Sequence, residues 1–386
     1  MGRSRSSGVV LGVCHVAGML DMVALPVWVG TFIEFYGLSP AQAGVTVTSF
    51  LAGIVLASLL TARALGRLDP RAVVVIGFAV ASAAFGILAS RPVAGTPFAV
   101  LPVIHVIAGL AAGAALSMTH GTMGRTDNPH RLFGLANVAL AVFGIAFFAA
   151  VPALIHAVSP RVLFVVFAGS MALAALVAAL GFPRTTGRAA ATDVTRQPMP
   201  AKAWLVIAVV ICLTFNQALI FSFLERIADH KGFSRADITA VLMAVGFINL
   251  LPGALAAMLQ QRLSPIAVGI AGPVLQAALA FVVVSAESFA TFAAFASPYV
   301  SIVIFTHTFL FGLLSQVDPS RRAVAATPAM MMIGSAAGPA VAGAIVQGIG
   351  YGGLAYMAAA TSTLAVVLML TFRARTGAAP AMLRSA

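Results

Sequence analysis

The sequence predicts an all-α integral membrane fold: twelve transmembrane helices in two pseudo-symmetric six-helix bundles. Three observations carry this expectation. Apolar residues make up 61% of the 386 positions and charged residues 8%, against roughly a quarter charged in a soluble domain. Long apolar runs recur along the whole length, separated by short polar breaks. The chain also repeats itself. Tyr36-Gly37-Leu38-Ser39-Pro40-Ala41 returns at an offset of 195 as Lys231-Gly232-Phe233-Ser234-Arg235-Ala236. In the same register Leu56, Leu60, Ala62, Arg67, Leu68 and Pro70 recur as Leu251, Leu255, Ala257, Arg262, Leu263 and Pro265. A second echo, at an offset of 190, pairs Pro129, Arg131 and Gly144 with Pro319, Arg321 and Gly334. Parallel repeats in a hydrophobic chain mark one kind of secondary transporter, in which two bundles rock about a site between them.

A spanning helix needs about 20 mostly apolar residues. Such runs begin near Val9, Gln42, Ala72, Phe98, Leu132 and Val162 in the first half, and near Ala203, Ile238, Ile266, Phe289, Ala323 and Gly353 in the second. The first run follows Arg3 and Arg5 as a signal peptide would, but it is long and lacks a clear small-residue cleavage site, so it reads as a retained helix. Strands of a membrane barrel would alternate over about ten residues, and no such alternation occurs. The stretch Pro183 to Lys202 interrupts the apolar pattern with Pro, Thr, Gly and basic residues, as a flexible linker does. The expected division is a first bundle over 1–182, a linker over 183–202 and a second bundle over 203–386.

Basic residues set the orientation. With both termini in the cytoplasm, all but five of the 22 Lys and Arg fall on the inner side, the exceptions being Arg91, Arg161, Arg226, Lys231 and Arg235. The net charge of +12 then reflects topology and anionic lipid head groups, and is no sign of nucleic acid. Cys14 and Cys212 lie in spans of different halves and indicate neither a disulfide nor a metal site. Pro26, Pro252 and Pro339 inside spans are expected kinks, and Gly109 with Gly113, and Gly334 with Gly338, supply small residues four apart for close helix packing.

With six plus six spans and a basic central linker, the chain resembles the major facilitator superfamily over essentially its whole length. Between its second and third spans that family carries a Gly, an Asp-Arg pair and a Gly-Arg-Arg cluster. Here Ala62-Arg63-Ala64-Leu65-Gly66-Arg67-Leu68-Asp69-Pro70-Arg71 keeps the basic residues, with Gly66 at the expected acid. The resemblance implies that Arg67 and Arg71, with the displaced Asp69, latch the inner face of the outward-open state. His105-Val-Ile-Ala-Gly109-Leu-Ala-Ala-Gly113 is similar to the family's Arg-x-x-x-Gly-x-x-x-Gly pattern, with His for Arg. Gly334-Ser-Ala-Ala-Gly338-Pro339 resembles the Gly-Pro hinge that exporters carry in the fifth span, displaced here to the eleventh.

Of the ten acids, only Asp21 falls in mid-membrane, where a charge costs several kcal/mol and an ionisable residue is a functional candidate by default. Counted from Val9 at 1.5 Å per residue, Asp21 lies about 18 Å into a core of about 30 Å. His105 enters from the opposite side to about 10 Å, a matching depth, which makes the two a candidate proton-exchanging pair. The offset of 195 maps Asp21 onto Asn216, polar but unable to titrate. Asn216, Gln217, Asn249 and Tyr299 are candidates to contact substrate, although each taken singly reads more simply as an interhelical hydrogen bonder. His15, His120, His156 and His307 read as structural or interfacial.

These features predict a proton-coupled secondary transporter in a bacterial inner membrane, exporting an amphipathic compound. Uptake of a small metabolite is the alternative, and a membrane sensor or intramembrane enzyme a more distant one. No nucleotide-binding loop occurs, nor a metal-binding His cluster, and no mid-span Arg or Lys suits an anion. The expected partners are a small-molecule substrate, protons and membrane lipids, with no cofactor, and the chain is expected to act as a monomer.

Overall fold

A computed structural model describes residues 2–64, 68–183, 199–318, 323 and 327–377. The described residues hold sixteen α-helices and no strand: α1 Gly2–Gly18, α2 Asp21–Glu34, α3 Pro40–Ala64, α4 Pro70–Ser90, α5 Val100–Met123, α6 Pro129–Ala157, α7 Val162–Gly181, α8 Ala201–Phe221, α9 Leu224–His230, α10 Arg235–Ile248, α11 Pro252–Leu259, α12 Pro265–Ser285, α13 Phe289–Ala296, α14 Tyr299–Val317, α15 Thr327–Ile349 and α16 Gly352–Thr376. They form twelve segments long and apolar enough to cross a membrane, from Ser7–Glu34 to Gly352–Thr376.

Several spans begin earlier than the first apolar residue suggests, because proline opens the helix. Pro40, Pro70, Pro129 and Pro265 each occupy the first helical position, where the missing N–H is one that would have no intrahelical partner. Side chains cap some of these starts. Asp69 accepts from the Arg71 amide (3.2 Å), Asn128 from the Arg131 amide (3.0 Å), and Ser234 with Asp237 forms a reciprocal capping box.

Four spans consist of two helices each. The first breaks at Met19–Leu20, the seventh at Ser222–Phe223, the eighth at Asn249–Leu251 and the tenth at Ser297–Pro298. Pro252 and Pro298 account for two of these, since proline withholds an amide and clashes with the turn before it. Pro26 and Pro339 lie within continuous helices.

The chain divides into two compact units, Met1–Thr192 and Asp193–Ala386. The division lies in the stretch read as a linker, whose residues 184–198 are outside the described ones. In the first unit α5 packs against α3, α4 and α1, while α7 packs against α4 and α1. In the second, α8 packs against α15, α16 and α14, and α12 against α16 and α14. Lipid removes the hydrophobic drive that would gather such helices in water, so close backbone approach supplies much of their attraction. Glycines provide it. A Cβ at Gly109 would meet the Phe50 backbone, and one at Gly113 would fall 2.6 Å from the Ile54 Cα, so α3 and α5 touch main chain to main chain. In the second unit Gly334 and Gly338 bring α15 onto Ile211, Thr214 and Ala218 of α8 in the same manner.

Candidate functional site

Asp21 is the first residue of α2, immediately after the break in the first span, and is 1% exposed. Neither carboxylate oxygen meets a hydrogen-bond partner among the described residues. The nearest donors are the amides of Asp21 itself and Met22, in the opening turn of α2. An acid there lies at the positive end of the helix dipole.

The first and fourth spans run antiparallel in close register. His15 meets His120, Gly18 meets Leu116, and Trp28 meets His105. Asp21 falls between the last two contacts. His105 is fully buried, its Nδ1 at 2.7 Å from the Leu101 carbonyl oxygen. Its ring lies 5.3 Å from Trp28, 5.5 Å from Phe32, 5.9 Å from Phe85 and 6.1 Å from Phe164 between centroids. Trp28 is seven residues beyond Asp21, or roughly 10 Å along a helix. The structure therefore sets His105 about two turns from Asp21 rather than at its depth. The depth arithmetic counted both spans from soft ends, and an error of a few residues at each accumulates along antiparallel helices.

Sequence reasoning missed the aromatic box around His105. Trp28 also meets Phe50 at 5.2 Å and Phe167 at 4.6 Å, edge to face, the arrangement aromatic quadrupoles favour. Trp28 Nε1 and His105 Nε2 are both buried without a hydrogen-bond partner. One signal was available, since Trp28 is one of two tryptophans in the chain. The His15–His120 contact, 2.9 Å between Nδ1 and Nε2, was missed as well, because the two are far apart in sequence.

The second unit holds a different polar cluster. Asn216 Nδ2 donates to the Ala358 carbonyl and to Ser362 Oγ, both at 3.0 Å. Tyr299, the first residue of α14, donates its hydroxyl to the Asn216 carbonyl at 2.9 Å. Gln276 Nε2 donates to the Leu213 carbonyl at 3.0 Å, while Asn216 Oδ1 and Gln276 Oε1 are buried without a partner. Gln276 was legible as the one polar side chain midway along the ninth span. Gln217 is half-buried beside Asn216. Asn249 lies at the break of the eighth span and accepts from Ser301 Oγ at 2.7 Å, just past the break of the tenth.

Of the residues read as a latch, Arg67 lies outside the described residues. Asp69 is spent on capping α4, and the Arg71 guanidinium donates to the Ala179 carbonyl near the end of α7. Both act within the first unit. Gly338 presses against Ala218 and Leu219 of α8, and Pro339 follows inside a continuous α15.

Among curated proteins no relative matches the sequence. Solved structures share the fold, and two of them illustrate it. A D-xylose-proton symporter matches with a TM-score of 0.73 at 16% identity, covering 95% of this chain and 97% of that one. The xylose transporter XylE from E. coli, in a partially occluded inward-open conformation, matches with a TM-score of 0.73 at 13% identity, covering 96% and 98%. Both are transporters rather than enzymes. A sequence profile of the Major Facilitator Superfamily matches residues 11–327, and with twelve membrane-length segments in two compact units the chain belongs to that superfamily.

Proposed function

We propose that this protein is a proton-coupled secondary transporter that moves a small organic molecule by alternating access, with export of an amphipathic compound as its direction. One observation carries the coupling: among the described residues Asp21 is the one acid buried in mid-span at a helix break, and no described side chain neutralises it. A carboxyl in such a place is stable as the neutral acid while dry. It ionises when water reaches the break, where the amides that open α2 stabilise the anion. Alternating water access thus becomes alternating protonation. His105 is a second protonatable group on the same face between the first and fourth spans.

The cargo assignment rests on what is left free. Asn216, Gln276 and Tyr299 spend their donors on neighbouring backbone, leaving Gln217, and the Asn249 amide beyond the oxygen that accepts from Ser301, as polar groups offered to a substrate among apolar neighbours. That suits an amphipathic or cationic molecule better than a polyhydroxylated one. The second reading, proton-coupled uptake of a small metabolite, draws support from the D-xylose-proton symporter of the same fold. Pro339 removes the amide that would bond the Ser335 carbonyl, which makes Gly338–Pro339 the softest point of the eleventh span and the bending point in this reading. The protein works as a monomer in a bacterial inner membrane with both termini in the cytoplasm, the side on which the basic residues concentrate.

The test is accumulation in reconstituted vesicles under an imposed proton gradient, with a panel of lipophilic cations, amphipaths and small metabolites. Asp21→Asn is expected to abolish gradient-driven accumulation while downhill exchange survives. Undiminished accumulation by Asp21→Asn removes Asp21 from the mechanism. Accumulation by inside-out vesicles supports export, and accumulation by right-side-out vesicles alone replaces it with uptake.

A further inference from the structure

The far end of the first span meets the end of the fifth through side chains to which the coupling role of Asp21 gives no use. Glu34 is the last residue of α2, and His156 lies in the last turn of α6. His156 Nδ1 stands 3.8 Å from Glu34 Oε1, and its ring centroid lies 5.1 Å from that of Phe35. The two side chains of the ion pair are 27% and 30% exposed, so water reaches both. Just beyond, Gly37 turns the chain at φ 63°, with the Leu38 amide on the Phe32 carbonyl at 3.1 Å.

The second unit builds the same contact with its chemistry exchanged. At the offset of 195, positions 34, 35 and 156 become Asp229, His230 and Tyr351. The rings of His230 and Tyr351 meet as well, 4.9 Å apart, and Gly232 repeats the turn at φ 77°. What differs is the partner of the acid. Asp229 pairs with Arg226 at 3.0 Å, whose guanidinium also donates to Tyr351, and an arginine keeps its charge at every working pH. Glu34 is paired instead with a histidine, the side chain whose charge ordinarily changes between about pH 5 and 8.

Few other charges face the pair. α2 packs on α3 and α6, and α6 also packs on α1, α5 and α7. The half of α3 nearest this end carries no charged residue, α1 stops before reaching it, and His105 of α5 is shut in its aromatic box. Arg161, just before α7, acts on Tyr36. Glu34 and His156 each stand at the C-terminal end of a helix, where the dipole favours a cation and opposes an anion. With His156 neutral, the Glu34 carboxylate is left facing two such ends.

We infer that Glu34 and His156 form a proton-operated clasp: protonation of His156 from the water at this end ties the tip of α2 to the fifth span, and loss of that proton releases it. In the second unit Arg226 holds the corresponding acid without a proton to gain or lose. The pair positions a helix, and it requires neither Asp21 as the proton site nor a direction of transport. Because α2 runs from the break in the first span to the clasp, the clasp sets how freely this half-span pivots. The contact is formed where His156 is charged and Glu34 ionised, and is lost as pH rises.

The test is hydrogen exchange of the full chain in lipid nanodiscs, which open both faces to buffer. Peptides covering residues 28–36 are followed at about pH 5.5 and about pH 8, with each rate corrected for the intrinsic exchange rate at that pH. The wild type is expected to exchange about two- to five-fold faster at the higher pH, the worth of a half-exposed ion pair. His156→Arg, which gives the first unit a permanently charged partner, is expected to exchange slowly at both. Glu34→Gln is expected to exchange fast at both. A wild type without the pH difference, or a difference that survives in either variant, overturns the inference. If His156→Arg does not fold, His156→Gln takes its place, with fast exchange expected at both values and a surviving difference again overturning the clasp. Coupling by Asp21 is judged separately, by vesicle accumulation.

Discussion

The interiors of the two units have the same packing device and opposite chemistry. In each, a helix bearing two glycines four residues apart lies directly on the backbone of a neighbour, α5 on α3 and α15 on α8. The first unit buries His15, Asp21 and His105 with ring nitrogens or oxygens left open, whereas the second buries Asn216, Gln276 and Tyr299 with their donors committed to backbone carbonyls and only the amide oxygens of Asn216 and Gln276 left open. Residues 21 and 216, equivalent by the repeat, show the divergence at a single position. Asp21 opens a helix after a break, and Asn216 sits within an unbroken α8 tied to α14 and α16. Duplication copied the framework, and the chemistry of the interior then separated. At this position one unit kept a group that changes protonation and the other a group that holds position, while the second unit keeps its own ionisable ring in His307, whose Nδ1 is buried without a partner.

The comparison breaks most visibly at the glycines. Gly109→Leu and Gly338→Leu are expected to leave little folded protein in detergent, since each side chain would enter a neighbour's main chain and overpacking costs about 1–3 kcal/mol or more. Gly134→Leu, where a Cβ meets nothing within 4 Å, is the control, and yield with size-exclusion profile is the readout. A next, smaller effect separates the two chemistries. Asn216→Asp is expected to lower thermal stability by an amount equivalent to about 3 kcal/mol or more, because a carboxylate would face the Ala358 carbonyl with only the Ser362 hydroxyl to donate to it. Asp21→Asn, at the repeat-equivalent site, is expected to leave the melting temperature unchanged or raised while abolishing coupled accumulation. Equal effects at the two sites would erase the proposed division of labour.

Smaller still, Tyr299→Phe removes one buried hydrogen bond to the Asn216 carbonyl and is expected to cost about 1 kcal/mol, measured by thermal unfolding in detergent. Ser301→Ala is expected to matter least for stability, about 0.6 kcal/mol as is typical inside a membrane protein. It frees Asn249 at the join of two broken spans and so sharpens whether that amide serves the substrate, through a change in apparent affinity.

The sequence was most legible where a single helix decides the outcome. The twelve spans, the two halves and the glycine contacts follow from hydropathy, offset and spacing, all local properties. Span starts were displaced because Pro40, Pro70 and Pro265 open helices before the first apolar residue. Of the breaks, those at Asn249–Leu251 and Ser297–Pro298 adjoin prolines, but Met19–Leu20 and Ser222–Phe223 have no such mark, and Pro26 and Pro339, read as kinks, sit in helices that continue through them. Side-chain partners were least legible. Asp21 was found as the one mid-span acid, but its depth relative to His105 depends on the register of two antiparallel helices, and His15 with His120 depends on a fold-level contact that no spacing encodes. Gln276 was available as the lone polar residue midway along its span.

The glycine contacts have a mechanical consequence. Where side chains interdigitate, one helix can slide past another by rotamer changes, giving a soft joint. Where Gly109 and Gly113 rest on the main chain of α3, there is no rotamer to change. The pair α3–α5 in one unit and α8–α15 in the other therefore behave as stiff beams: a push at one end of the beam arrives at the other undiminished. Compliance is left to the broken spans, and Asp21 and Asn249 both stand at such joints, where a small bend changes most what a side chain meets.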